Sequence, residues 1–439
     1  MDSERELKKA QIYKAKQNIV YEALKKNIEL VKQAEEENDH TLVMRALLFT
    51  PGIRKNISLN TLNIVLSKCL KDENACKSYY LNTLKDYIQT EENSFSEISE
   101  YELSTVNVYL GNILIYILFR DQYYQQAYET TLYILNNYKD IHTHTMNILF
   151  ARTVGIYSII AKKVENGFNR EYVFSLYRNA CLFNNIIGQA SLYNLILSMY
   201  IYNKEYEAAA TFIQRSHFPA DISDKQYVRY LYYKGLIECV QLEYTHSSES
   251  LQQALRYIDG KQYLGIQTKI HQIYILVQLL MGDIPDRNIF NIYINTPYLS
   301  LLSPYYYLTQ IVRTGDVHGF SSLFNKYSDI FKHDGTYHLI LRLRSNVLRL
   351  AIRQIYISYS RISIEEVANR LGITAEDAEF ICARTIRDGV IDAELDHENG
   401  YLTSKDQSTI QITESPRIGF QKRIETLLNI KHEVLRAKQ

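Results

Sequence analysis

The sequence predicts a mainly α-helical chain: a solenoid of helical repeats, then a compact winged-helix module, then one terminal helix. Three observations lead there. The 439 residues include only six Pro and sixteen Gly, too few for the frequent turns of an all-β chain. From about 100 to 260, apolar residues recur at intervals of three and four, the spacing that gathers them on one face of a helix. Between Ile355 and Asp406 the period changes, and helix starts, helix stops and alternating residues crowd together. Hydrophobic residues make up 46% of the chain, enough to bury a large core in two or three structural units.

Taken in order, residues 4 to 40 are rich in Lys, Glu, Ala and Gln with spaced apolar residues, which predicts a long, largely exposed amphipathic helix. Pro51-Gly52 is expected to break the next helix, and Thr90 to Ser96 reads as a polar, acidic loop. Ile186, Ala190, Tyr193, Leu197 and Tyr200 share one helical face. Three pairs of an aromatic and a small residue three apart, Tyr124 with Ala127, Tyr206 with Ala209 and Tyr244 with Ser247, suit close approach of antiparallel helices. The period between the last two pairs is that of stacked helix pairs of tetratricopeptide (TPR) type.

Further on, a helix from Gln262 to Met281 is expected to end at Gly282-Asp283-Ile284-Pro285, with Asp286 placed to cap the next, and Pro297 and Pro304 to bound a short connection. From Tyr337 to about Ile355, Ile340, Leu343, Val347 and Leu350 form one face of a helix and Arg342, Arg349 and Arg353 another. This basic face has two readings: a solvated surface, or a complement to an acidic patch on a neighbouring protein.

In the winged-helix stretch, Ser363 with Glu366 and Thr374 with Asp377 are capping boxes that open two short helices. Gly372 and Gly389 stand where those helices would end in a left-handed residue. Val390, Ile391, Asp392, Ala393, Glu394 and Leu395 alternate as a strand, and a turn from His397 to Gly400 leads into Tyr401 to Ser404, a hairpin.

Lys plus Arg and Asp plus Glu are 49 each, so bulk charge favours neither nucleic acid nor anionic membrane. Cys69, Cys76, Cys181, Cys239 and Cys382 lack CxxC spacing and indicate neither a disulfide framework nor a zinc site. The charged N-terminus and the absence of any long apolar run point to a soluble protein of the cytoplasm and nucleus.

Catalytic constellations fail residue by residue. His142-Thr143-His144 has the HxH of metal-dependent deubiquitinases, but Arg152 and Gly155 stand where the pattern needs Ser and the metal-binding Asp. Gly260 and Gly265 have the spacing of a phosphate loop, but Ile266 and Gln267 replace its Lys and Ser/Thr. Cys239 and Cys382 sit in apolar helical faces and read as core residues. The helix from Ala375 to Asp388 would read DNA in some winged helices. Here its N-terminal turn carries Glu376 and Asp377, which phosphate would repel. No catalytic residue, cofactor, metal or small-molecule substrate is expected, and neither membrane nor nucleic acid is an expected partner.

The layout resembles PCI-domain proteins, and several motifs are more specific. IPDR at 284 to 287, RTGD at 313 to 316, DGTY at 334 to 337, LRLRSNV at 341 to 347, SYSRIS at 358 to 363, DAEFI at 377 to 381 and RDGVI at 387 to 391 resemble the family of the 26S proteasome's non-ATPase regulatory subunit 3. The order and spacing agree over about 220 to 432, and ALLFTPGIR at 46 to 54 resembles the family's N-terminal region more weakly. The resemblance implies a non-catalytic scaffold of the proteasome lid, serving ubiquitin-dependent protein degradation. Its implied partners are other PCI subunits, met at the winged-helix edge, and metalloprotease-like subunits, met in a bundle of C-terminal helices.

The residues supply surfaces for both contacts. The strand at Val390 to Leu395 can leave an unpaired edge. In the tail, Ser415 and Pro416 begin a helix bearing Ile418, Ile424, Leu427, Leu428, Val434 and Leu435. The sequence reaches Gln439 soon after this helix, without the long charged tail of some relatives. The expected domains are a helical-repeat region at 1–225, a PCI domain at 226–406 with its helical part at 226–354 and winged helix at 355–406, and a tail helix at 407–439. Two alternatives share the plan: the paralogous PCI subunit of the signalosome, and a nucleic-acid-binding PCI protein of the messenger-export type that would use the arginine face.

Overall fold

The computed structural model describes residues 2–54, 56–69, 75–85, 104–138, 141, 143–164, 167–220, 222–258, 263–291, 293, 296–404 and 415–437. These form twenty helices and three short strands. Backbone packing divides the chain between Gln262 and Tyr263 into two units.

Among the described residues the first unit is all helical: α1 (Asp2–Glu36), α2 (His40–Arg54), α3 (Leu59–Cys69), α4 (Ala75–Lys85), α5 (Ser104–Arg120), α6 (Tyr124–Tyr138), α7 (His144–Ile160), α8 (Arg170–Leu182), α9 (Ile186–Tyr202), α10 (Tyr206–Arg215), α11 (Asp224–Val240) and α12 (Tyr244–Arg256). Its N-terminal helix corrects the sequence reading. Tyr21, Leu24, Ile28, Val31 and Ala34 are buried, at intervals of three and four, and α1 packs on α2 and α5. Over the described side chains, 18–36, the charges lie on the outer face. The expected break at Pro51-Gly52 does not occur, because α2 continues to Arg54. A proline this close to a helix end forfeits one backbone bond, not the helix. The loop expected at Thr90 to Ser96 lies outside the described residues.

Helices α5, α7, α9 and α11 pack successively on one another, while α6 packs on α7, α8 on α9 and α10 on α11. This is the TPR-like solenoid that the period predicts. Tyr124, Tyr206 and Tyr244 are each the first residue of a helix, and Ala127, Ala209 and Ser247, one turn later, are wholly buried. The long gap between the first two pairs holds a repeat without the signature, α8, which opens at Arg170 and buries Val173 at the equivalent place. Close approach is visible between α11 and α12: the Ser247 hydroxyl donates to the Gly235 carbonyl at 2.6 Å, and a Cβ at Gly235 would stand 2.8 Å from Leu251 Cγ. Helix α9 departs from the one-sided reading. Ala190, Tyr193, Leu197 and Tyr200 are buried, but so are Leu192, Asn194, Leu195, Ile196, Ser198 and Met199, because α7, α8, α10 and α11 surround it; Ile186 is 36% exposed.

The second unit comprises α13 (Leu264–Met281), α14 (Asn288–Asn291), α15 (Leu299–Thr314), α16 (Val317–His333), α17 (Tyr337–Ser358), β1 (Arg361–Ser363), α18 (Ile364–Leu371), α19 (Ala375–Arg387), β2 (Ala393–Asp396), β3 (Tyr401–Ser404) and α20 (Ser415–Ala437). Helices α13, α15, α16 and α17 pack together, and α17 carries α18 and α19. Pro304 lies within α15, not at its boundary. It cannot donate to the Ser300 carbonyl one turn back, and the Ser303 hydroxyl donates there instead at 2.9 Å. In the first turn of α14, Ile289 N–H donates to the Asp286 backbone carbonyl at 3.3 Å, so it is the main chain of Asp286 that this bond uses.

Both winged-helix caps form. Ser363 Oγ accepts from Glu366 N–H and Thr374 Oγ1 from Asp377 N–H, each at 3.3 Å. The acids do not reach back to the cap backbone as a full capping box would: Asp377 accepts from the Thr374 hydroxyl at 2.7 Å, and Glu366 faces Arg370. One kind of helix end recurs through both units. The residues after α1, α5, α8, α9 and α11 include Asn38, Gln122, Asn184, Lys204 and Leu242 at positive φ, and Gly282, Gly315, Gly335, Gly372 and Gly389 do the same in the second unit. In each case the next N–H donates five residues back, as Glu243 does to Glu238 at 3.0 Å and Val390 to Thr385 at 3.0 Å. That is the Schellman closure of a helix C-terminus.

Two stability changes follow. Leu242 holds φ at +74° with its side chain 57% exposed, so Leu242→Gly should relieve left-handed strain and raise stability by about 0.5–1 kcal/mol. A melting temperature that fell or stayed level would contradict this. Gly372 has φ +64°, and a Cβ there would stand 2.6 Å from His318 Cε1. The His318 side chain is exposed and can swing aside, so Gly372→Val should cost about 1–2 kcal/mol in urea unfolding, the left-handed penalty.

Candidate functional site

The surfaces proposed from sequence lie on the winged helix and on the tail. The sheet is antiparallel in the order β1-β3-β2, so its middle strand is the last in sequence. β1 is a strand that the sequence reading missed, because Ser363 both ends it and caps α18; burial of Ile362 is its only mark. The strand expected at Val390 begins at Ala393. Val390 closes α19 through its N–H, Ile391 is buried, and Asp392 is exposed.

Which backbone groups remain open follows from the register. Ser404 N–H donates to Ser360 O and Ile364 N–H to Gly400 O, both at 2.8 Å, so alternate residues of β3 from Gly400 to Ser404 bond toward β1. Tyr401 and Thr403 then bond toward β2, where they face Asp396 and Glu394. Ala393 and Leu395 point their N–H and C=O away from β3, at an outer edge. β1 has an outer edge too, but it is three residues long and runs straight into α18.

The arginine face of α17 is not a uniform cationic surface. Arg342 and Arg353 are exposed, whereas Arg349 donates to Asp388 Oδ2 at 2.8 Å. Asp388 also faces Arg387 at 3.2 Å and Arg384 at 3.8 Å. Arg349 thus ties α17 to the end of α19, a role its spacing alone did not reveal. Ile340, Leu343 and Val347 are buried as expected, while Leu350 is only half-buried. On α19 the acidic first turn is exposed, and Phe380 is 68% exposed.

The rejected chemistries gain no support from the geometry. Thr143 caps α7 by accepting from Met146 N–H at 3.3 Å, so it and His144 lie at a helix start, not along a surface helix; His142 lies outside the described residues. Gly265 lies in the first turn of α13 and not in a loop, and Gly260 lies outside the described residues. Cys239 and Cys382 are buried, and burial pushes the Cys382 thiol up to about 11, against the thiolate a nucleophile needs. Among the described residues, no group of three or more His, Cys, Asp or Glu is placed to hold a metal ion, and no helix is long and apolar enough to cross a membrane.

Helix α20 stands apart. It begins at Ser415 with Pro416 in its first turn, and every residue from 416 to 436 is exposed. Ile418, Ile424, Leu427, Leu428, Val434 and Leu435 are all uncovered, as are Phe420 and Ile430, which the sequence reading passed over. At 100° per residue, Phe420, Ile424, Leu427, Leu428, Val434 and Leu435 make one stripe of about 120°, and Ile418 and Ile430 fall outside it.

The family model described as "PSMD3-like, N-terminal TPR repeats" matches residues 16–309, and that of the PCI domain matches 324–406. Similar proteins include the 26S proteasome non-ATPase regulatory subunit 3 of Dictyostelium discoideum, 31% identical over 95% of this chain and 86% of the relative. A probable subunit 3 of Nicotiana tabacum is 32% identical over 95% and 87%. The probable 26S proteasome regulatory subunit rpn3 of Schizosaccharomyces pombe is 31% identical over 95% and 85%. With both halves matched in order, and relatives aligned along nearly its whole length, the chain belongs to the family of the 26S proteasome non-ATPase regulatory subunit 3.

Proposed function

We propose that this chain is a non-catalytic structural subunit of the lid of the 26S proteasome regulatory particle, a scaffold for lid assembly in ubiquitin-dependent protein degradation. The observation that carries the reading is the terminal helix: residues 416 to 436 are uncovered along their whole length, with a stripe of large apolar side chains. An isolated helix of this length is marginal in water, so α20 is built to be completed by other chains. Family membership supports the proteasome as the assembly, because the relatives are named as its regulatory subunits. The partners are other proteasome subunits. More finely, PCI subunits meet the open edge of β2 at Ala393 and Leu395, and metalloprotease-like subunits meet α20, in the cytoplasm and nucleus. The segment 407–439 acts as the coupling segment.

Deletion of 416–439 should leave a folded monomer that no longer enters the lid, read by circular dichroism and by pull-down with the other subunits. Normal incorporation of the truncated chain would sink the proposal for α20. The edge has its own test. Leu395→Pro removes an outward N–H and leaves the bonds of Glu394 and Asp396 to β3 in place, so the variant should stay folded and lose incorporation. Glu394→Pro, which breaks the ladder itself, is the control expected to destabilise the winged helix. If Leu395→Pro enters the lid as wild type does, the β2 edge is not the contact.

A further inference from the structure

The apolar stripe of α20 has a charge in its middle. Lys431 lies 20° from Ile424 on the helical wheel, and its same-face neighbours three and four residues away are Leu427, Leu428, Val434 and Leu435. All four are apolar, so no acid of its own helix stands within the i±3 or i±4 reach that would neutralise it. Among the described residues, no ion pair involves Lys431, and Glu425, elsewhere on the helix, accepts from Gln421 at 3.3 Å. A helix that covers this stripe brings its surface against the Lys431 side chain, and a carboxylate placed there would pair with the ammonium.

We propose that Lys431 selects the partner of α20: an amphipathic helix of a different protein that presents an Asp or Glu opposite it. The inference rests on α20 being a docking helix. A second copy of this chain fits poorly in either orientation. Ile424 and Lys431 are one heptad apart, with Phe420, Leu427 and Val434 as the alternate seam positions. Parallel self-pairing sets Lys431 against its own copy, and antiparallel pairing sets it against the apolar residues of the copy. The lysine thus disfavours self-association and favours an acidic mate, which is how a polar seam residue fixes partner choice.

The test uses the full chain co-expressed with the other lid subunits. Wild type, Lys431→Glu and the 416–439 deletion are compared for the fraction incorporated, and carbodiimide, which joins a lysine amine to a contacting carboxylate, is applied to the wild-type assembly. Lys431→Glu should keep the melting temperature of the isolated chain, since the residue is exposed, yet incorporate about tenfold less or worse. The cross-link should join Lys431 to an Asp or Glu of another subunit, and changing that acid to Lys should rescue Lys431→Glu. In sedimentation, Lys431→Leu should self-associate where wild type stays monomeric. If the deletion is excluded from the lid but Lys431→Glu enters normally, the docking helix stands and this inference falls. If the deletion enters normally, both fall. A wild-type dimer cross-linked through Lys431 would identify a second copy as the occupant and overturn the inference.

Discussion

Helix reversal is the constraint on which this chain depends. A helix end exposes carbonyls that need donors, and a chain of short antiparallel helices meets that need at every turn. Ten helix ends share one solution: a left-handed residue followed by an N–H donated five residues back, at 2.9 to 3.3 Å. Because the closure turns the chain within two or three residues, the next helix starts beside the last one, and small residues one turn in, such as Ala127 and Ala209, let the two backbones approach. Stacked layers then bury α9 on all sides. The same closure after α18 and α19 sets the wing of the second unit.

This also explains what could be read in the sequence. In the second unit the left-handed residue is Gly every time, so Gly282, Gly372 and Gly389 were legible as helix ends. In the first unit it is Asn38, Gln122, Asn184, Lys204 or Leu242. Asn tolerates this conformation, whereas Gln, Lys and Leu are held in it by the packing of the helices they join. Local propensity could not announce those turns, and the repeat had to be inferred from its small residues. Pro51 and Pro304 misled for a related reason: each costs one backbone bond, and at Pro304 the Ser303 hydroxyl replaces the missing donor. The burial of α1 was hidden because its apolar residues are diluted by charges on the outer face. β1 was hidden because three residues carry no period.

The candidate surfaces were legible to different depths. The apolar residues of α20 could be listed, but only the structure showed that all of them are uncovered and that Phe420 belongs to the stripe while Ile418 does not. The wing was legible as a hairpin, but the strand order, and with it the outward-facing groups at Ala393 and Leu395, required the third strand. The arginine face was the least legible. Spacing placed Arg349 beside Arg342 and Arg353, whereas its function is set by Asp388, which lies on another helix and draws three arginines toward it.

That last contact also sets the charge along α19, the helix that would enter a groove. Asp388 ties up positive charge at the C-terminal end of α19, and Glu376 and Asp377 hold negative charge at its N-terminal end, which is the end that meets base edges in groove-binding relatives of this fold. What remains at the surface is an apolar Phe380, a short strand edge and, beyond it, a bare amphipathic helix. Fully burying a large side chain is worth about 1.5–3 kcal/mol, and the six that share the stripe of α20 are 48–65% exposed, so about half of that remains for each. That gain is available only in a complex, and it is large enough to outweigh the ordering of a helix that is marginal alone. The fold therefore keeps its own core closed through its turns and leaves the apolar stripe of α20 uncovered.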